Sequence, residues 1–395
     1  MMKRNLNDDE RLADYRTIVA DAVDSLRGKR RQSTNLYLNT AAYEAANWVG
    51  PAFQRICAKQ RCLVVFVDDR PWANFGHECR YRFYDADSHA FLYEQAARFP
   101  PYSDWVPATY TAIHEPIVPA NTQQGIALPI ENAPSDSSSA GQRYAILFAG
   151  AGLRRVLNDL EYCYRMLTDY YGFARANVRV LYFDGGLHLD SPTLSATHWP
   201  SETDRDPYRI AIDGPGTRTA FQGECARLAS VLQPQDLLLV HTNGHGDTGR
   251  TPPQSFLFEH GGGQYFAAEF CADLQVLGPH TSLVVMMQQC CSAGFIAPLI
   301  AARRANSIQA QRLALACASA ATSFPTSDFK FNCFSQGWIA AQWQADPFGN
   351  AVTADFDGSG FVEVREAFRH AKSVATQDRP KQGADPASGG NIRLA

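Results

Sequence analysis

The feature that most narrows the possible folds is a set of short apolar runs, each of strand length and each stopping abruptly in small or polar residues. In 282–294, S-L-V-V-M-M-Q-Q-C-C-S-A-G, five apolar residues from Leu283 to Met287 give way to two glutamines and two cysteines. Residues 236–242, D-L-L-L-V-H-T, behave in the same way and pass into N-G-H-G-D-T-G. A run that is apolar on successive residues has no polar face to leave in water. It suits a strand covered on both sides, as in a parallel sheet between two layers of helices. Ligands of such sheets bind beyond the carboxyl ends of the strands, and here one run brings a thiol to that edge and the other an imidazole.

The same grammar extends from residue 143 onward. An apolar strand over 144–149 precedes a helix striped by Leu153, Leu157, Leu160, Tyr164, Leu167 and Tyr171, which Gly172 ends. A strand over 178–183 follows, so the crossover is right-handed and the two strands parallel. Helices are predicted over 217–232, 267–276 and 295–310, a hairpin over 256–266 and a strand over 313–318. Residues 184–216 are too long and too rich in Gly, Pro, Ser and Asp for a plain connection. The fold class expected is α/β, with about five parallel strands flanked by helices.

The first 130 residues read differently. A helical stripe runs through 1–30, a second helix is expected over 40–60, a strand over 62–67, and 80–94 forms a hairpin turning near 85–89. A smaller α+β domain for recognition or regulation is expected at 1–130. The Ser/Gly/Pro-rich 131–142 is a linker. Residues 143–345 form the main domain, 346–375 an acidic loop with its helix, and 376–395 a polar, flexible tail.

Composition sets the outer limits. Hydrophobic residues are 45% and charged residues 19% of the 395, enough apolar material for proper cores. The net charge of -4 and the lack of a basic stripe argue against nucleic acid as a partner. No apolar run approaches the roughly 18 residues of a membrane span, and the polar start has no secretory core. Ten scattered cysteines, most in apolar segments, point to free thiols in a reducing cytoplasm.

A thiol peptidase needs a thiolate, an imidazole to generate it and protonate the leaving amine, and N–H donors for the oxyanion. Cys291 lies just past a strand and before a helix whose positive end favours the thiolate. His245 sits between glycines, and the amides of Gly246 and Cys291 are candidate oxyanion donors. His241 belongs inside its strand. Cys290 is the rival nucleophile. A zinc site from His241, His245, Cys290 and Cys291 is disfavoured, because adjacent cysteines rarely both reach one tetrahedral ion.

H-G-D-T-G at 245–249 resembles the H-G-S-T-G of legumains, and Q-C-C-S-A-G at 289–294 resembles the Q-A-C of caspases and the D-C-C-H-S-G of metacaspases. The order and spacing of the two motifs are also similar to the caspase/legumain clan of cysteine peptidases, over roughly 143–345. The resemblance implies a caspase-like sheet, Cys291 as nucleophile and His245 as acid/base, acting on protein or peptide substrates without a cofactor for the chemistry. It places Gln289 and, through R-V-L-N-D at 155–159, Arg155 in the S1 pocket, while the pocket aspartate of legumains falls at Gly337. An arginine with no carboxylate beside it favours an acidic or amide P1 residue. Ser292-Ala293 departs from the family pattern, and the supporting asparagine of legumains falls at Leu153, so a Cys-His dyad is expected. A catalytically silent scaffold that binds a partner peptide, or a transpeptidase using the same dyad, would fit these residues as well.

Residues 355–366, D-F-D-G-S-G-F-V-E-V-R-E, match an EF-hand-type calcium loop. Asp355, Asp357, Ser359, the Phe361 carbonyl, Glu363 and Glu366 stand at positions one, three, five, seven, nine and twelve, with Gly360 at the sharp turn. A Ca²⁺ site followed by a single helix over 364–375 is expected.

Overall fold

The structure, a computed structural model, describes residues 12–26, 31, 33–43, 60–69, 79–97, 100–101, 109–114, 141–188, 199–200, 207–249 and 254–395. The chain divides into two compact units, Met1–Asn121 and Thr122–Ala395. Apart from Gly141 and Gln142, the expected linker lies outside the described residues.

In the first unit, helix α1 (Arg16–Asp24) precedes a five-stranded antiparallel sheet of order β4-β3-β2-β1-β5. The strands are β1 (Asn35–Tyr43), β2 (Cys62–Asp68), β3 (Cys79–Asp85), β4 (Phe91–Ala97) and β5 (Tyr110–His114). The β3–β4 hairpin turns at the predicted place, where the Asp85 carboxylate accepts the N–H groups of Asp87 and Ser88. The helix expected over 40–60 is contradicted at its start, since β1 continues to Tyr43; most of the rest lies outside the described residues. Leu36 and Leu38 cluster with Ile18 and Ala22, while Tyr37 clusters with Phe66 and Tyr81. That alternation has a strand's period of two. It is hidden in the sequence by the alanines that follow.

The second unit is built on a six-stranded sheet of order β14-β13-β12-β8-β6-β7. Its members are β6 (Arg143–Ala149), β7 (Val178–Tyr182), β8 (Leu237–Asn243), β12 (His280–Met287), β13 (Ala310–Cys317) and β14 (Lys381–Asp385), all parallel except β14. Helices α2 (Arg154–Arg165), α3 (Arg218–Ala229), α4 (Ala267–Leu274) and α5 (Ile296–Arg304) connect the parallel strands. Helices α6 (Cys333–Trp343) and α7 (Val364–Val374) follow β13. A small antiparallel sheet of β9 (Gly246–Thr248), β10 (Ser255–Phe258) and β11 (Gln264–Phe266) lies between β8 and β12 in the chain.

The main sheet has a core on each side, which explains why its strands are apolar throughout. Leu239, Val284 and Met286 join Leu157, Leu160 and Trp338. Their neighbours Leu238, Val285 and Met287 join Phe221, Phe270 and Phe295 on the other side. Each fully buried side chain of this kind stabilises the fold by about 1.5–3 kcal/mol.

The flexible tail expected at 376–395 is contradicted. β14 pairs antiparallel with β13, and Ile392 and Leu394 are fully buried. K-Q-G-A-D reads as polar because an edge strand needs apolar residues only where it meets the sheet. Asp385 ion-pairs with Arg303 and Arg304 of α5, which anchors the segment further. None of the described cysteines is in a disulfide, and no described helix is long and apolar enough to cross a membrane.

Candidate active site

β8 and β12 are neighbours in register, with Met287 opposite Thr242, so the chain leaves both strands at the same level. The Gln288 N–H donates to the Thr242 carbonyl (2.9 Å), and the Thr242 hydroxyl donates to Gln289 Oε1 (2.8 Å). The turn carrying His245 is thereby held beside the turn carrying Cys290 and Cys291. The two turns pack tightly at Gly246, where a β-carbon would lie 2.6 Å from the Cys290 carbonyl oxygen and 2.7 Å from Gln289 Cγ. Gly246→Ala is therefore expected to force the two turns apart, costing about 1–3 kcal/mol by overpacking. A lowered melting temperature together with lost thiol reactivity toward a peptide electrophile would check this, and an unchanged Tm would contradict it.

Cys291 is half-exposed and has a left-handed backbone, φ +57°, which a residue with a β-carbon adopts only at some cost. Cys290 differs in every respect. Its thiol is buried, accepts the Ser323 N–H at 3.3 Å and is pushed up to about 12, chiefly by burial. His241 is fully buried within β8 with Nδ1 3.2 Å from the Met286 carbonyl, and burial holds its ring down near 4, hence neutral. Among the described residues, His241, His245, Cys290 and Cys291 do not converge as a metal-holding group.

One expectation fails at the oxyanion hole. The Cys291 N–H, expected to face a substrate carbonyl, donates to the Ala321 carbonyl at 2.6 Å. An amide has one proton to give, and here it is given to the protein itself.

Sequence reasoning overlooked Asp159. This α2 residue is fully buried; it accepts Asn243 Nδ2 (2.7 Å), Asn332 Nδ2 (2.6 Å) and the Asn332 backbone N–H (3.3 Å). Asn243 Oδ1 in turn accepts the Gly244 N–H at 2.7 Å, so the network reaches the residue before His245. Burial pushes the Asp159 carboxyl up to about 7, against the pull of these donors and of the Arg155 charge. Arg155, four residues earlier on the same helix, is one of the charges acting on this carboxyl. The i, i+4 spacing in R-V-L-N-D was the signal available. Gly337 is a helix-packing position, not a pocket one: a β-carbon there would meet Val374 Cγ2 at 2.5 Å where α6 crosses α7.

In the acidic loop, carboxylate oxygens of Asp355, Asp357 and Glu366 lie within 4.8 Å of one another. Three hard oxygen donors in that space suit a hard divalent cation. Asp355 also accepts the N–H groups of Ser359 and Gly360, and the Ser359 hydroxyl donates to the Phe361 carbonyl. Glu363 does not fit as a ligand. Its carboxylate is buried and ion-paired with Arg365 (2.8 Å), Arg393 lies 3.8 Å away, and its own N–H donates to Glu366 Oε2 (3.0 Å) at the start of α7. Two arginines neutralise this carboxylate, which leaves it no charge to spend on a weak ninth ligand.

No protein-family model matches the chain, and no curated protein matches it. A crystal structure of protein GSU0716 from Geobacter sulfurreducens is similar over 64% of this chain and 97% of its own, at a TM-score of 0.39 and 15% identity. A likeness that weak carries no inference about function.

Proposed function

We propose that the second unit is a caspase/legumain-like cysteine endopeptidase acting in the cytoplasm on protein or peptide substrates. The observation that carries this reading is the meeting of the His245 and Cys290–Cys291 turns at the carboxyl ends of two adjacent parallel strands. In the reaction, His245 takes the Cys291 proton and the sulfur adds to the scissile carbonyl, whose π pair moves to oxygen. Collapse reforms the carbonyl and expels the amine, which His245 protonates; water then hydrolyses the thioester. A peptide electrophile followed by peptide mapping tests it. One adduct is expected at Cys291, lost in His245→Ala, and no adduct on the folded protein would reject the reading. The silent-scaffold alternative draws its support from the Cys291 amide being engaged with Ala321.

We also propose that Asp355, Asp357 and Glu366 hold a calcium ion with a structural role, bracing the start of α7. A cation that binds only the folded chain stabilises it by about 2.7 kcal/mol at a hundredfold excess over Kd. Added Ca²⁺ should raise the melting temperature and EDTA lower it, with Asp355→Ala insensitive to both. Identical melting curves with calcium and EDTA would exclude the site.

A further inference from the structure

Ala321 lies in the segment that leaves β13 and passes the nucleophile turn, and Ser319 pins that segment at its root. The Ser319 hydroxyl, fully buried, donates to the Thr322 carbonyl (2.8 Å) and accepts the N–H groups of Ala321 (3.1 Å) and Arg379 (3.2 Å). Its one proton and both lone pairs are used. The Ser319 main chain is tied to the nucleophile turn: its N–H meets Ser292 Oγ at 3.2 Å, and its carbonyl accepts the Ala293 N–H at 3.0 Å. On the other side, the Ala320 N–H donates to the Arg379 carbonyl (3.0 Å), in the C-terminal arm between α7 and β14. Ala320 itself is exposed and Ala321 and Thr322 are half-exposed, so little side-chain burial holds the middle of the segment. The Ala321 carbonyl thus sits on a short span fixed at its root by the Ser319 hydroxyl and that arm, and at its far end by the Ser323 N–H, which donates to Cys290 Sγ at 3.3 Å.

We propose that Ser319 is a positioning residue that latches the Ala321 carbonyl onto the Cys291 amide, leaving the resting site with an accessible thiol but an incomplete oxyanion hole. Moving residues 320–322 aside frees the donor and turns acyl transfer on. The inference rests on the peptidase reading, and two reactions of the same sulfur separate them. Alkylation by iodoacetamide displaces iodide from a saturated carbon and forms no oxyanion. Acylation by a peptide p-nitrophenyl ester passes through one as sulfur adds and nitrophenolate leaves, and removing a single oxyanion donor costs about 10²–10³ in rate.

The test compares the full-length wild type with Ser319→Ala, and with Ala321→Gly, which loosens the segment without emptying a buried site. In ¹⁵N-cysteine-labelled protein, the Cys291 amide proton should resonate at low field in the wild type and move upfield in both variants. Iodoacetamide should alkylate all three at similar rates. Ester acylation should rise about tenfold or more in the variants, in kcat and not KM, within the span of one donor. An amide signal unmoved in both variants overturns the latch, as does a released amide with no gain over a wild type that already acylates. A released amide and normal alkylation with no acylation by any of the three sinks the peptidase reading, and the latch's function with it.

Discussion

On the proposed peptidase reading, Cys291→Ala should abolish acyl transfer, with a loss of about 10⁴–10⁶ in kcat as for a removed nucleophile, while Cys290→Ala should keep activity within about tenfold of wild type. The two sulfurs are neighbours in sequence, yet the fold treats them oppositely. Cys290 is buried, bonded to the Ser323 amide, and held as a neutral thiol near 12. Cys291 is half-exposed on a left-handed turn beside the His245 loop. A thiol kept neutral five units above physiological pH supplies almost no thiolate, so it cannot compete for substrate. Burst titration of each variant with a peptide ester decides the matter. A dead Cys290→Ala beside an active Cys291→Ala would move the nucleophile by one residue and break the assignment.

Asp378→Asn should stabilise the protein at pH 8 by up to about 5 kcal/mol and change little at pH 4. Asp378 follows α7 and is 7% exposed, and burial pushes its carboxyl up to about 8, with the Phe324 backbone N–H pulling the other way. Below about pH 4 the group is protonated folded or unfolded, and it costs nothing. As pH rises the unfolded chain releases the proton first, so stability falls by about 1.4 kcal/mol per unit and levels off once the folded group ionises near 8. Asp159, raised to about 7, adds a slope of the same sign over a narrower window. Urea midpoints between pH 4 and 9 should therefore decline toward alkaline pH in the wild type and decline less in Asp378→Asn. Parallel curves for the two proteins would show that Asp378 ionises as freely in the fold as in the open chain.

The two site turns were legible because their cues are local. Val284 and Met286 feed one core and Leu283, Val285 and Met287 the other, so an uninterrupted apolar run announces a covered strand before any contact is known. The first polar residues after it are then at the edge where chemistry collects. The clustering of Asp355, Asp357 and Glu366 was legible for the same reason, whereas the surroundings of Glu363 were not. Whether a glutamate at that point faces a cation or pairs with arginine depends on Arg365 and Arg393, and Arg393 is far along the chain.

The parts that were not legible are backbone or long-range. An amide that donates to Ala321 leaves no mark in side-chain identity, and a serine among A-S-A-A-T-S does not stand out until its three partners surround it. β14 was hidden because pairing with β13 satisfies its main chain while its side chains remain polar at the edge. Asp159 was in plain view, but its weight comes from Asn243 and Asn332, brought in from two other elements.

From the sequence alone came the alternation of covered strands and helices, the thiol and imidazole at two strand ends, and the acidic loop, because periodicity and local residue type report burial and turn chemistry directly. Only the tertiary structure decided which sulfur is accessible, where the Cys291 amide points and what the C-terminal residues hold in position. Those depend on hydrogen bonds and desolvation between segments distant in the chain, and no local pattern encodes them.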